Sequence, residues 1–128
     1  MSGTAFKLSK IAQIALSTRD VKRAVAFYRD VLGLPLVFEV SGMAFFDAGG
    51  ISLMIGPAPF EGPVQPNTFI YFAVDDWQAA EAALTARDLA FSGPVEIVQR
   101  HNGKEHVMRP FKDPDGNILK IMGWRTES

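Results

Sequence analysis

No cysteine occurs among the 128 residues. Disulfides, thiolate metal sites and a cysteine nucleophile are thereby excluded. Charge of one sign is equally scarce. Thirteen basic residues stand against 14 acidic ones, for a formal net charge of −1. No block of like charge interrupts the chain, so the electrostatic footprint of a nucleic-acid-binding protein is missing. No apolar run approaches the roughly 20 residues that a bilayer-spanning helix needs. Residues 1–10 lack the apolar stretch of a signal peptide, and a cytoplasmic protein without a membrane partner is the expectation. What is present is an ordinary globular balance, 48% hydrophobic and 21% charged. A chain of this length can bury a core without cross-links, so residues 1–128 are expected to form a single domain.

Hydrophobic periodicity divides the chain into two similar passages. Ile11–Ser17 alternates as a strand, Asp20 is a helix N-cap, and Val21–Leu32 carries Val21, Ala24, Val25, Tyr28 and Leu32 at helical spacing. Gly33 supplies the stop. Three short apolar runs follow, Leu36–Val40, Met43–Asp47 and Ile51–Ile55, separated by the turn pairs Ser41-Gly42 and Gly49-Gly50. Residues 57–67 then hold Pro57, Pro59, Pro63 and Pro66, a density no sheet or helix accommodates, and mark a linker. Beyond it the pattern restarts. Thr68–Val74 reads as a strand, Asp76 as an N-cap and Trp77–Arg87 as an Ala-rich helix. Val95–Arg100, Glu105–Phe111 and Asn117–Met122 read as three strands, with Asn102-Gly103 and Asp115-Gly116 as turns.

The two passages align at both ends. Gln13–Asp20 lies over Phe69–Asp76, and Asp47–Ile55 over Asp113–Ile121, with the extra residues of the second half falling in its middle strands. Two matches in the same order indicate an internal duplication of a βαβββ unit. Unit one is expected over about 11–56 and unit two over about 68–124. The predicted fold class is α+β. The pattern leaves open whether the units pair within one chain or exchange between chains.

The segments "STRDVKRAVAFYRDVLGLPL" and "KDPDGNILKIMG" resemble the two signature segments of the vicinal oxygen chelate superfamily, which contains the glyoxalases, bleomycin resistance proteins and related dioxygenases. The likeness spans nearly the whole chain. It implies that the two units form an open, cup-shaped half-barrel sheet with helices outside, that ligands bind inside the cup, and that homodimers are frequent. Metal-using members hold a divalent ion with four inward-facing His, Gln or Glu residues, one from the first and one from the last strand of each unit. Carried over by register, those positions are Gln13, Met54, Phe69 and Lys120. Phenylalanine has no lone pair to give. A thioether is too soft for magnesium, manganese or ferrous ion, and a lysine ammonium repels cations. Only Gln13 suits the role, so no metal and no cofactor are expected. A slip of one residue brings in Ile14, Leu53, Ile70 and Leu119 or Ile121, which are no better. His101 and His106 flank a hairpin turn without metal-ligand spacing and read as solvated residues. Asp113-Pro114-Asp115-Gly116 lacks the rest of a calcium loop and reads as a turn.

Strand alternation then predicts the lining. Gln13 and Ala15, Phe69 and Tyr71, Ser52 and Met54, and Ile118, Lys120 and Met122 should face inward. Adjacent strands add Phe38, Phe45 or Phe46, and Arg109 or Met108. The expected ligand-binding set is Gln13, Phe45, Ser52, Met54, Phe69, Tyr71, Arg109, Lys120 and Met122. An apolar cavity with a few placed polar groups suits a small-molecule ligand. Lys120 has three readings: a cation, and candidate catalytic group, where the family places its metal; a solvated strand end; or half of an ion pair with Glu39 or Glu96. Two functions remain open. One is a metal-independent protein that binds an apolar or aromatic, optionally anionic, small molecule. The other is a metal-dependent lyase, epimerase or dioxygenase of the vicinal oxygen chelate type.

Overall fold

The structure, a computed structural model, describes Phe6, residues 10–57 and residues 69–127. Most of the expected linker, and Thr68 of the expected strand, lie outside the described residues. Within them the order is β1 (Gln13–Thr18), a helix, β2 (Leu36–Val40), β3 (Met43–Ala48) and β4 (Ile51–Pro57). Then come β5 (Ile70–Ala73), helix α2 (Trp77–Ala86), β6 (Glu96–His101), β7 (Lys104–Lys112) and β8 (Ile118–Thr126). Each half forms an open four-stranded mixed sheet, ordered β1-β4-β3-β2 in unit one and β5-β8-β7-β6 in unit two. The first and last strands of each unit run parallel and the other neighbours antiparallel. The duplicated βαβββ pattern and the α+β class are thus present. No described helix is long and apolar enough to cross a membrane.

The turns follow their chemistry. Ser41 and Gly42 have φ of 51° and 76°, and Asn102 and Gly103 have 52° and 75°. Two successive positive φ values make the mirror-image hairpin turn whose twist matches that of its strands. Asp20 and Asp76 cap the helices, each carboxylate accepting the backbone N–H three residues on, at 3.1 and 3.0 Å.

The first helix departs from the uniform α-helix expected over Val21–Leu32. It is α-helical over Val21–Val25 (α1) and widens to a π-helix over Ala26–Val31. Leu32 N–H correspondingly reaches back five residues, to the Phe27 carbonyl at 3.0 Å. Apolar spacing over so few turns does not distinguish the two pitches. The widened turn carries Phe27 and Tyr28, which sit edge to face with centroids 5.4 Å apart. Phe27 leans toward Phe111 of unit two, while Tyr28 packs on Phe46 of unit one.

One face of each sheet supplies the core. Leu16, Ala44, Phe46, Leu53 and Ile55 of unit one, and Val107, Phe111, Leu119 and Ile121 of unit two, are buried there with Tyr28 and Trp77. Phe46 therefore belongs to the core, and the alternative offered by sequence, Phe45, is the one left on the opposite face. Gly123 is buried, and a Cβ there would stand 2.8 Å from the Val74 carbonyl oxygen.

The units meet within the chain. Ile14, Ile51 and Leu53 of unit one face Ile70, Tyr71 and Phe72 of unit two around a small apolar hollow of about 130 Å³. The turn between β7 and β8 adds a polar clamp. Asp113, buried, accepts the Tyr28 hydroxyl at 2.8 Å, the Asn117 side-chain amide at 2.8 Å, and the backbone N–H groups of Asp115 and Asn117 at 2.9 and 2.8 Å. Asp115 accepts the Thr18 hydroxyl, the Arg19 backbone N–H at 2.9 Å and the Arg23 guanidinium at 3.2 Å. Asn117 donates to the Ser17 carbonyl at 3.3 Å. The polar residues of this turn are thus occupied in joining the halves. Burial, with the Asp113 carboxylate beside it, pushes the Tyr28 hydroxyl well above the usual tyrosine range.

Candidate functional site

The face of each sheet turned away from the core carries what alternation leaves over. On β1 and β4 these are Gln13, Ala15, Ser52 and Met54, with Gln13 opposite Ser52 and Ala15 opposite Met54. On β3, Phe45 lies opposite Met54, and its ring stacks on Phe38 of β2 with centroids 4.4 Å apart. In unit two, Tyr71 lies opposite Lys120, Met108 opposite Met122, and His106 opposite Trp124. The four methionines after Met1, at positions 43, 54, 108 and 122, all fall on this face and all are half-buried. Half-buried thioethers beside aromatic rings make a polarizable surface that adapts to irregular ligands.

Of the nine residues expected to line the site, eight lie on the open faces of the two sheets, four in unit one and four in unit two. Arg109 does not. It lies opposite Ile121, a core residue, and its guanidinium donates to Glu81 of α2 at 2.9 Å and to the Gly93 carbonyl at 3.1 Å. It also stacks over the Phe91 ring at 4.3 Å. The alternative at that point, Met108, takes the open face. The sequence offered both, and the one-residue difference in register decided between them.

The four positions that would hold a divalent ion fall into two local pairs. In unit one the Gln13 side-chain NH₂ donates to the Met54 sulfur at 4.0 Å, and the Gln13 side-chain oxygen accepts from the Ser52 hydroxyl at 3.4 Å. In unit two the Lys120 ammonium stands 5.9 Å from the centroid of Phe69 and 5.7 Å from that of Tyr71. The amide is engaged by its own strand neighbours, the thioether is soft, the ring has no lone pair, and the fourth group is a cation. Among the described residues no cluster of three or more His, Asp or Glu stands close enough to hold a metal ion. These residues do not fit the divalent centre that the fold resemblance implies.

Lys120 is half of an ion pair. Its ammonium contacts both oxygens of Glu96, at 3.1 and 3.4 Å. The lysine side chain is 12% exposed and the glutamate 41%. Of the acids named from sequence, Glu96 is the partner and Glu39 is not. Residues outside the expected lining set, His106, Trp124 and Glu96, also stand on this face. His106 and Trp124 stack in parallel, centroids 4.6 Å apart and planes 11° apart, so His106 is no free hairpin-end residue. Glu96, opposite Met108, closes the row Met122–Met108–Glu96. Placement of Glu96 needs the β6–β7 pairing, which has a bulge between Ile97 and Gln99 that simple alternation does not foresee.

A family model described as the Glyoxalase/Bleomycin resistance protein/Dioxygenase superfamily matches residues 10–121. An uncharacterized protein of Bacillus subtilis (strain 168), YraH, is 31% identical, the match covering 88% of this chain and 96% of that one. Among solved structures, the lactoylglutathione lyase of Agrobacterium tumefaciens superposes with a TM-score of 0.72 at 25% identity, covering 91% of this chain and 95% of that one. An integron cassette protein from the mobile metagenome of V. cholerae superposes with a TM-score of 0.74 at 20% identity, covering 94% and 98%.

Proposed function

This chain belongs to the Glyoxalase/Bleomycin resistance protein/Dioxygenase superfamily, and we propose that within it the protein is a metal-independent binder of a small apolar or aromatic molecule. The ligand rests on the open face formed by Gln13, Phe45, Ser52, Met54, Phe69, Tyr71, Lys120 and Met122. One observation carries the reading. At the four positions where metal-using relatives place their ligands, this chain has an amide bonded to a thioether, and an aromatic ring beside an ion-paired ammonium. That arrangement supplies apolar area and two hydrogen-bonding anchors but no set of lone pairs for a divalent ion. Lys120 acts as an electrostatic anchor rather than as a catalytic group.

A homodimer is part of the same reading. The outer strands of both sheets expose apolar side chains, Val37, Phe38 and Val40 on β2 and Ile97 and Val98 on β6. Such edges are stabilised when a partner covers them. The competing reading, a metal-dependent lyase, epimerase or dioxygenase, needs donors that these positions lack.

Elemental analysis of the purified protein separates the two. The expected result is no stoichiometric divalent metal, and no stabilisation on adding manganese, zinc or ferrous ion. One tightly held divalent ion per chain, lost in Gln13→Ala, would overturn the proposal.

A further inference from the structure

Lys120 is held from three sides. The rings of Phe69 and Tyr71 stand 5.9 and 5.7 Å from its ammonium, and the Glu96 carboxylate grips it with both oxygens, at 3.1 and 3.4 Å. The two partners of the ion pair are not alike. The lysine stem is nearly enclosed, at 12% exposure, and β8 lies in the interior of its sheet between β5 and β7. Glu96 is 41% exposed. It is the first residue of β6, an outer edge strand, next to a bulge in the β6–β7 ladder. The cation is therefore fixed and its counter-ion is placed to leave. When Glu96 swings out, its carboxylate returns to water at little cost, while Lys120 keeps its ring neighbours and exposes an unpaired ammonium at the centre of the open face.

We propose that Glu96 is an intramolecular stand-in for the carboxylate of the ligand. It rests on the anion position of the binding face and is displaced when a small aromatic carboxylate binds Lys120. The inference rests on the binding-face reading above and deepens it by naming the ligand class. The surroundings favour an aromatic acid over a plain inorganic anion. The ammonium is bordered by two ring faces, Met122 follows it on the same strand face, and the Trp124–His106 stack lies one step further along. A carboxylate carried by a flat apolar body satisfies Lys120 and covers those rings together. Glu96 also sets specificity. While it is in place, the face presents a neutral pair, and a ligand must bring a carboxylate good enough to compete with one already tethered there. The tether gives Glu96 a high effective concentration, which lowers the apparent affinity of every anionic competitor without touching neutral ones.

The test uses two probes of the same shape, 1-naphthoate and its neutral amide 1-naphthamide, titrated by calorimetry into the full-length protein. The proteins are wild type, Glu96→Gln, and the double variant Glu96→Gln/Lys120→Met, in which both charges are gone and no buried charge is left unpaired. Removal of the competitor should tighten naphthoate binding to Glu96→Gln by about tenfold or more, the step that about 1.4 kcal/mol makes. Naphthamide should bind wild type and Glu96→Gln within about twofold of each other, since the neutral probe does not contest the Glu96 position. The double variant should lose the gain for naphthoate. If naphthoate binds Glu96→Gln no more tightly than wild type while naphthamide still binds both, the stand-in role is wrong and the binding face stands. If the double variant gains as much as the single one, Lys120 is not the anchor and the proposal fails. If neither probe binds any of the three folded proteins, the binding face itself is refuted for aromatic ligands, and the proposal falls with it.

Discussion

The same turn occurs twice in this chain and does different work each time. Asp47 opens the β3–β4 turn as Asp113 opens the β7–β8 turn. Asp47 is exposed, and among the described residues its carboxylate accepts only the Gly50 backbone N–H, at 2.9 Å, closing its own loop. Asp113 is buried and accepts four hydrogen bonds, one of them from Tyr28 of the other unit. The residues that follow diverge accordingly. Ala48-Gly49-Gly50 offers no polar side chain, whereas Asp115 and Asn117 reach the β1–α1 corner through Thr18, Arg19, Arg23 and Ser17. The two halves share one strand order, and the polar turn of the second adds hydrogen bonds that join it to the first. The same division runs across the open face, where unit one carries the Gln13–Met54 pair and unit two the Lys120–Glu96 pair.

The largest expected effect follows from removing the clamp on one side only. Asp113→Ala leaves the Tyr28 hydroxyl, the Asn117 amide and two backbone N–H groups without their acceptor. It should cost about 3 kcal/mol or more, read from the shift of the urea midpoint. Asp47→Ala removes one exposed turn bond and should cost about 0.5–1 kcal/mol. Equal losses from the two aspartates would contradict the asymmetry. Gly123 and Gly56 give the next contrast. A Cβ at Gly123 would stand 2.8 Å from the Val74 carbonyl, which is backbone, whereas at Gly56 it would stand 2.8 Å from the Met43 side chain. Gly123→Ala should destabilise by about 2 kcal/mol and Gly56→Ala by under about 1 kcal/mol, because a half-buried methionine can turn aside. Thermal unfolding of the two variants side by side checks the order.

Tyr28→Phe should cost about 1.5 kcal/mol through the lost bond to a carboxylate. It also carries a pH signature. The Tyr28 pKa is raised in the folded state, so the folded chain keeps a proton that the unfolded chain loses near the ordinary tyrosine value of about 10. Stability from this group is therefore fully present below about pH 10 and declines as pH rises above it. The alkaline decline should be shallower in Tyr28→Phe, and an unchanged slope would place the effect elsewhere. The smallest effect belongs to Arg29 and Asp30, an exposed neighbouring pair whose contact at 2.8 Å lowers the aspartate pKa and raises that of the arginine. Arg29→Ala should leave the urea midpoint unmoved, since solvent screens the pair.

Most strands, both helix caps and the hairpin turns were legible in the sequence because each rests on local rules. Alternation follows from the pleat, capping from the unpaired N–H groups of a helix start, and the Asn102-Gly103 turn from its positive φ values. The π-helical stretch was not legible, because apolar spacing over one or two turns fits either pitch. The placement of Arg109 and Met108 was half legible. Both were candidates for the open face, and the β7–β8 register sent the arginine to Glu81.

The sequence alone therefore determined the repeated βαβββ pattern and the chemistry of Gln13, Met54, Phe69 and Lys120, of which only the Gln13 amide suits a divalent ion, since side-chain chemistry needs no coordinates. Tertiary structure alone decided what each of those groups touches. Lys120 of β8 meets Glu96 of β6 across the intervening strand β7, and Asp113 meets Tyr28 across the two halves. Such partners are far apart along the chain, and no local periodicity carries the distance between them.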